Sequence, residues 1–329
     1  MTRKTNIAIG IVAVAMIGVG LFFSYRSIDI LNGSAFIGGV GANQRGILTG
    51  GECDNANDRL VAIMLSSDPE ARPLSGIGQA DIVFEMPVTP SGVTRMMAVF
   101  QCERPKEIGS VRSARLDFVP LALGLDTIYA HFGGEHAVLA ELDAGVIDNI
   151  DGLKYDGTTY YRKSSIPKPH NAFTNFELLK KIIGDLNYKN TNTFAGYPHD
   201  PPSHKATEGF ESVPSIYSDQ FTVTWRYDAK SNSYFRSRDN RAEIDKNTNQ
   251  QVSVKNVVVA QTTWSPISKD YLRIKTIGGG VATIYKNGQK IVGTWKKADD
   301  QAKLFFYDNK GIEIQFALGK IWVEFVTNF

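Results

Sequence analysis

Continuous and alternating apolar runs divide the first half of the chain into short predicted strands. Residues 60–65 form an apolar run of the length expected for a buried strand. Residues 81–86 and 93–101 are two further strands, and Ser91-Gly92 between them is a turn signal, so they are expected to form a hairpin. The chain therefore opens its folded part with extended structure.

Helical patterns then alternate with strands. Helices are predicted at residues 113–124, with Ser113 as a possible N-cap, at 135–143, and in a segment ending near residue 186. Strands are predicted between them at 126–132 and 146–150. This alternation after a hairpin start is typical of a mixed α/β or α+β domain, which we place at residues 59–189.

From residue 221 onward the pattern consists of strands. Asn287-Gly288 lies between two alternating runs and is the clearest hairpin signal in the chain. Runs at 304–307, 312–316 and 321–326 predict an antiparallel meander. The second domain, at residues 216–329, is therefore predicted to be mostly antiparallel β, after a proline-containing linker at 190–215.

An uncharged apolar segment occupies residues 7–23, preceded by Arg3 and Lys4 and followed by Arg26. Its 17 positions reach the lower limit for a bilayer-spanning helix, and the basic N-terminal flank favours a cytoplasmic N-terminus. We predict a transmembrane signal anchor at residues 1–26 and a flexible tether at 27–58; a cleaved signal peptide is the alternative. Either way, the bulk of the chain is expected outside the cytoplasm. With the signal anchor uncleaved, a single pass attaches it to the cell membrane.

Composition narrows the classes of function. The chain has 329 residues, of which 36 are basic and 34 acidic, so its net charge of +2 gives no reason to expect a nucleic-acid partner. Its two cysteines, Cys53 and Cys102, form no CxxC pair, which argues against a structural zinc site. In an oxidising compartment they are a disulfide candidate; two free thiols are the alternative.

The segment at residues 107–118 carries the most suggestive chemistry. Arg112 and Arg115 are three apart where a helix is predicted to begin, so both guanidiniums are expected on one helical face, near a helix N-terminus. Paired guanidinium forks suit a carboxylate or a phosphate. Polar residues inside apolar surroundings extend the predicted ligand-binding set: Arg95, Arg112, Arg115, His131, Arg162, His170 and Asn171.

Several other interpretations stay open at this stage. One structural alternative is a cross-strand ion pair between Glu85 and Arg95, which lie in neighbouring predicted strands. Another is a buried network in which the arginines hold loops together. Glu85 and Asp151, with His170, are candidate catalytic residues of a glycosidase-like pair of carboxylates. The HFGGEH segment does not have the helical spacing of a zinc motif, because two glycines interrupt it, and we predict no metal site and no cofactor. Four tryptophans are expected either in the core or on a sugar-stacking surface: Trp225, Trp264, Trp295 and Trp322.

The order of motifs resembles the YerB-like proteins, bacterial envelope lipoproteins with two domains of unknown function. The resemblance rests on IGSVRSAR at residues 108–115, on HFGG at 131–134, on YYR at 160–162 and PHN at 169–171, and on the strand segments before them. It spans most of residues 47–329 and implies an envelope location and a two-domain plan. Two departures matter: Ser66-Ser67 stands where the family usually has Asp-Asn, and this chain has no lipid-accepting cysteine, so the helix is expected to be the anchor.

The expected function is recognition of an anionic or glycan ligand of the cell envelope. The sequence does not decide whether the pocket also catalyses a reaction. An envelope hydrolase using Glu85 and Asp151 and a scaffold for other membrane proteins are the two alternatives. The membrane is the one expected partner, with a protein partner possible in the scaffold interpretation.

Overall fold

A computed structural model describes residues 44–201 and 211–327, and its main feature is a mixed sheet of ten strands. The predicted membrane anchor and most of the predicted tether lie outside these residues. Within them, no helix is long and apolar enough to cross a membrane. Strands outnumber helices, so the fold is mostly β, and the helices lie in the first half of the chain, as predicted.

The helices are α1 Val119–Gly124, α2 His136–Asp143 and α3 Phe176–Asp185. Short 3-10 helices occur at Pro69–Ala71, Ile77–Gln79, Leu116–Phe118 and Asp219–Phe221. The strands are β1 Val61–Ser66, β2 Ile82–Pro87, β3 Thr94–Phe100, β4 Ile108–Gly109, β5 Ile128–His131, β6 Asn149–Asp151, β7 Tyr161–Arg162, β8 Ala172–Thr174, β9 Val213–Ile216, β10 Val223–Asp228, β11 Ser233–Arg238, β12 Arg241–Ala242, β13 Ser253–Val254, β14 Asn256–Thr262, β15 Trp264–Pro266, β16 Leu272–Ile274, β17 Gly278–Lys286, β18 Gln289–Lys297, β19 Phe305–Asp308 and β20 Ile321–Thr327.

The large sheet crosses the predicted domain boundary. Its order is β19-β18-β17-β14-β20-β2-β3-β1-β5-β6, so five strands come from each half of the chain. The halves meet where β20 pairs in parallel with β2, with Ile82 opposite Ile321 and Glu85 opposite Glu324. The predicted domain limits stay a prediction, but the hydrogen-bonded sheet is continuous across them.

The predicted antiparallel meander at the C-terminus is wrong for its last strand, β20. The hairpin β17–β18 forms as expected, with positive φ at Asn287 and Gly288, which is the geometry of a type I′ turn. The segment after β19 forms only isolated bridges, and β20 inserts between β14 and β2, parallel to both. Its first five residues, Ile321 to Phe325, are all buried, as is usual for a parallel strand covered on both faces.

Each face of the large sheet has its own core. Alternation along β1 sends Ala62 and Met64 to one face and Ile63 and Leu65 to the other. The first face is covered by α1, α2 and the β15–β16 hairpin, and the second by α3 and the small sheet β12-β11-β10-β9. Three of the four tryptophans are buried in these cores, which confirms the core interpretation for Trp225, Trp295 and Trp322; Trp264 is exposed.

A buried ionic network joins the small sheet to the large one. Arg236 in β11 is fully buried and forms ion pairs with Glu85 of β2, Glu243 and Glu324 of β20. Arg238 adds a pair to Glu85 at 2.7 Å. Burial opposes ionisation of Glu243, but Arg238 and Arg236 outweigh it and hold the pKa of its carboxyl at about 2. The predicted Glu85–Arg95 pair is therefore wrong, because Glu85 is paired with the arginines of β11.

The two cysteines form a disulfide, with their Cα atoms 5.0 Å apart. It ties the segment before β1 to the residues that follow β3. Leu48 in that segment is fully buried, and the Ile47 amide donates to the Gln101 side chain at 3.0 Å. Residues 44–58, the end of the predicted tether, are therefore packed against the sheet rather than free of it.

We expect replacement of both Cys53 and Cys102 by alanine to lower the free energy of unfolding by about 2–4 kcal/mol. The bridge spans 49 residues, and its removal restores conformational freedom to the unfolded chain. Urea titrations with and without reductant measure the effect. Reductant should shift the wild-type transition and leave the double variant unchanged; an equal shift in both would contradict the prediction.

We expect Arg236→Met to lower the free energy of unfolding by roughly 3–5 kcal/mol, because it leaves buried carboxylates without their shared counter-ion. Arg226→Met is the matched control, since Arg226 lies in neighbouring β10 and is exposed. Chemical denaturation of the two variants makes the comparison. A cost for Arg236→Met no larger than that of the control would rule out a stabilising role for the network.

Candidate anion-binding site

The site is built where parallel strands β1 and β5 separate. The two strands pair only as far as Ile63 and Ala130. Beyond that point the segment 110–115 runs between them: the Arg112 amide donates to the Met64 carbonyl at 2.9 Å, and the Ala114 amide donates to the Gly133 carbonyl at 2.9 Å. The carboxyl ends of parallel strands are the usual ligand-binding edge of such sheets.

This arrangement corrects the predicted helix at residues 113–124. The backbone of residues 110–115 is extended and bonded to its neighbours, and the helical turn begins only at Leu116, with Pro120 in the first turn of α1. Ser113 is therefore not an N-cap. Arg112 and Arg115 do not share a helical face, and their guanidiniums are presented by an extended segment instead.

Arg95 brings a third guanidinium to this edge. It lies at the start of β3, opposite Ser66 at the end of β1, and only 3% of its surface is exposed. Burial, together with the Arg112 and Arg115 guanidiniums, lowers the pKa of Arg95 to about 9. Arginine keeps its proton at neutral pH, so Arg95 remains charged. Its lowered pKa shows that this buried positive charge has too little negative charge around it.

The guanidiniums of this cluster have few partners in the described part of the chain. Arg112 forms no side-chain hydrogen bond or ion pair there, and its Nε is buried. Arg115 donates to the carbonyl of Ala114 at 2.9 Å and packs against the Tyr271 ring, 5.0 Å from its centroid. The Nε atoms of all three arginines are buried without an acceptor. Such groups carry a desolvation penalty that a bound acceptor would remove.

Asp68 is the carboxylate that faces the cluster. Its Oδ2 lies 3.5 Å from Arg95 and 3.9 Å from Nδ1 of His170. Burial alone would raise its pKa, but Arg95 and the Ser66 hydroxyl outweigh burial and hold the pKa below the usual value. Among the described residues, Asp68 is the one carboxylate within ion-pair distance of the three guanidiniums, so most of their positive charge is not paired.

His170 and Ser110 complete the buried polar surface. Burial, followed by the Arg112 guanidinium, lowers the pKa of His170, so its neutral form is favoured. Its Nδ1 has no hydrogen-bond partner, and neither has the Ser110 hydroxyl, in the residues that the structure describes. An oxyanion can therefore bind next to these groups without breaking an existing hydrogen bond.

Arg162 and Asn171 lie next to this surface and bind each other. Arg162 donates to Oδ1 of Asn171 at 2.9 Å and forms an ion pair with Asp156 at 3.1 Å. Its guanidinium also packs over the Phe132 ring, 4.1 Å from the centroid. Both residues therefore already have internal partners, unlike Arg112.

His131 and Asp151 end the parallel strands β5 and β6, opposite each other, as expected for one edge of the sheet. Their polar atoms serve the local loops. Asp151 accepts from the amides of Gly133 and Leu153 at 2.8 and 2.9 Å, and His131 Nδ1 lies 2.9 Å from the Gly133 carbonyl. Their ligand-binding and catalytic roles stay predictions, and the observed geometry supports a structural one.

The structure does not bring Glu85 and Asp151 together. They lie on β2 and β6, four strand spacings apart in the sheet, which is about 19 Å. A pair of glycosidase carboxylates is separated by at most about 9.5 Å. Glu85 is also fully buried among arginines and faces the opposite side of the sheet from Arg95.

Sequence reasoning missed Asp68 and Ser110. Asp68 comes three residues after the predicted strand, and nothing in the local pattern connects it to Arg95, which is distant in sequence. Ser110 was part of the recognised IGSVRSAR motif but is an ordinary residue by type. Among the described residues, no cluster of three His, Cys, Asp or Glu side chains is arranged to hold a metal ion.

Comparisons with known proteins agree on one family. Residues 48–189 match the N-terminal domain, and residues 213–323 the C-terminal domain, of a family described as protein of unknown function (DUF3048). "Putative lipoprotein YerB" of Bacillus subtilis (strain 168) is 31% identical over 276 residues, which is 82% of each chain. The crystal structure of YerB from Bacillus subtilis superposes with a TM-score of 0.76 at 28% identity, covering 86% of this chain and 96% of that one.

We expect Arg95→Met to leave the free energy of unfolding unchanged or raise it by about 1 kcal/mol, in contrast to Arg236→Met. A hydrophobic side chain at position 95 removes a buried charge that its surroundings do not neutralise. Chemical denaturation without added anions measures the effect. A loss comparable to that of Arg236→Met would mean that Arg95 is a structural ion-pair partner.

Proposed function

We propose that this chain, which belongs to the DUF3048 family, binds an anionic ligand of the cell envelope through Arg95, Arg112 and Arg115. The ligand offers a phosphate or carboxylate group to the three guanidiniums. In this proposal the folded part lies outside the cytoplasm and is attached to the membrane.

The observation that carries the proposal is the guanidinium of Arg112, which has no partner within residues 44–201 and 211–327, beside the buried charge of Arg95. A network built only for stability pairs its charges, as Arg236 does with three carboxylates in the same protein. In the described part of the chain, the three guanidiniums at the β1–β5 edge instead share one ion pair, between Arg95 and Asp68. Asp117 acts on Arg115 from farther away and is paired with Arg273. Phosphate and carboxylate groups match the planar fork of arginine and would supply the missing charge.

Two observations support the location. The relative in Bacillus subtilis carries the name of a lipoprotein. The bond between Cys53 and Cys102 suits an oxidising compartment outside the cytoplasm. The anchor in this proposal is the apolar segment at residues 7–23, because the sequence has no cysteine there to accept a lipid.

A glycan polymer that bears anionic groups fits the surroundings of the site. Arg162 ends β7, and Lys163 is the next residue. Both side chains lie beside the buried cluster and are partly exposed. They can contact further anionic groups along a polymer whose first group is held by the buried arginines. A single small anion would need only the buried cluster.

We expect an anion that binds at the site to stabilise the folded protein by about 2.7 kcal/mol when its free concentration is 100 times its dissociation constant. Thermal-shift titrations of the full-length protein with inorganic phosphate, citrate and anionic envelope glycans test this. Arg112→Ala should abolish the shift with little effect on the unliganded melting temperature.

Arg226→Ala is the control, because Arg226 is an exposed arginine of the small sheet. It should retain the full response to every anion that stabilises the wild type. No shift with any anion, or an equal loss in both variants, would refute the anion-binding proposal and favour a scaffold that binds other membrane proteins.

A further inference from the structure

We propose that Asp68 selects an oxyanion that carries its own proton, namely hydrogen phosphate or a singly protonated phosphate monoester, over a fully deprotonated oxyanion such as sulfate. The inference rests on the proposed function, since it concerns the ligand of the same arginine cluster. It identifies the chemical group and the residue that discriminates it.

The first step is the position of Asp68 inside the cluster. Its carboxylate is 3.5 Å from Arg95, 3.9 Å from His170, and close enough to Arg112 for each to shift the pKa of the other. An anion that replaces the missing partners of Arg95 and Arg112 must therefore come near a carboxylate. Like charges at such distances repel, and burial strengthens the repulsion.

The second step is the bonding of the two carboxylate oxygens. Oδ2 accepts a hydrogen bond from the Ser66 hydroxyl at 2.6 Å and faces Arg95. Oδ1 accepts no hydrogen bond from residues 44–201 or 211–327. Oδ1 of Asp68 is therefore an acceptor without a partner in this part of the chain, although the neighbouring guanidiniums are all hydrogen-bond donors.

A carboxylate that served only to neutralise arginines would be bonded differently. In the network of β2 and β11, Glu85 uses both of its oxygens for Arg236 and Arg238. Asp68 makes one long contact to Arg95 and leaves the Arg112 guanidinium unpaired, although it lies beside both. Its bonding leaves room for a donor from outside the chain.

The third step is the chemistry of the ligand. Inorganic phosphate keeps at least one proton at neutral pH, so one of its oxygens can donate to Oδ1 while the others accept from the guanidiniums. Sulfate has no proton and would meet Asp68 with lone pairs only. Converting this repulsive contact into a charge-assisted hydrogen bond is worth about 1.5–3 kcal/mol, which is at least tenfold in affinity.

The test is calorimetric titration of the full-length protein with inorganic phosphate and with sulfate at neutral pH. We expect the wild type to bind phosphate at least about tenfold more tightly than sulfate. Asp68→Asn, whose amide can donate to an oxyanion, should lose this preference and bind sulfate more tightly than the wild type does. Asp68→Glu keeps a carboxylate and should keep phosphate as the preferred anion.

The outcomes separate the two proposals. If the wild type binds phosphate and sulfate equally and Asp68→Asn leaves the ratio unchanged, Asp68 only balances charge and the selectivity inference is overturned, while anion binding stands. If the wild type binds neither phosphate nor sulfate, the selectivity inference is overturned, and the proposed function is then decided by the thermal-shift titrations with citrate and anionic glycans. Unchanged melting temperatures of the variants show that a lost preference does not come from unfolding.

Methyl phosphate distinguishes the two sources of a protonated phosphate. A monoester keeps its second proton only below its pKa of about 6, so the titration is run near pH 5.5. Binding equal to that of inorganic phosphate means that the site accepts an esterified group. Binding of inorganic phosphate alone assigns the site to free phosphate. In either case, Asp68→Asn should lower the affinity for the phosphate compound that the wild type binds.

Discussion

The parallel pairing of β20 with β2 is the constraint on which the rest of the structure depends. It joins strands from the two halves of the chain into one sheet and places Glu324 beside Glu85. Two buried carboxylates on neighbouring strands repel each other unless a cation lies between them. Arg236 of the small sheet supplies that cation, so the same pairing that closes the large sheet also fixes where the small sheet packs.

The protein contains two clusters of buried arginines that differ in their counter-charges. The cluster around Arg236 has three carboxylates within ion-pair distance and lies between two sheets. The cluster around Arg95 lies at an edge where strands diverge and has one carboxylate. Since desolvation costs are similar for the two buried arginines, the difference in pairing separates the structural network from the cluster that we propose as a ligand site.

The edge between β1 and β5 is suited to such a site because the strands stop pairing before they end. The inserted segment 110–115 uses its backbone groups to complete the bonding of both strands. Val111 and Ala114 of this segment pack into the two cores, while Arg112 and Arg115 are presented at the edge without a helix. The proposed anion site therefore depends on guanidinium groups and not on a helix dipole.

The sequence determined the local elements and the chemical types of the site. Apolar periodicity located most strands, the Asn287-Gly288 turn specified its hairpin, and the motif around Arg112 was recognised as the most suggestive stretch. The extended conformation of residues 112–115 was not predicted, because it is imposed by hydrogen bonds that join Arg112 and Ala114 to Phe132 and Gly133, which come from a later strand end.

Only the tertiary structure decided which charges are paired. Glu85 and Arg95 lie ten residues apart in a hairpin, yet the pleat sends them to opposite faces, where Arg236 reaches one and Asp68 the other. These partners are distant in sequence, and a single sequence holds no local signal for a contact that depends on sheet order. The residue types thus predicted an arginine-rich polar site, and the packing of strands from both halves determined which arginines remained without partners.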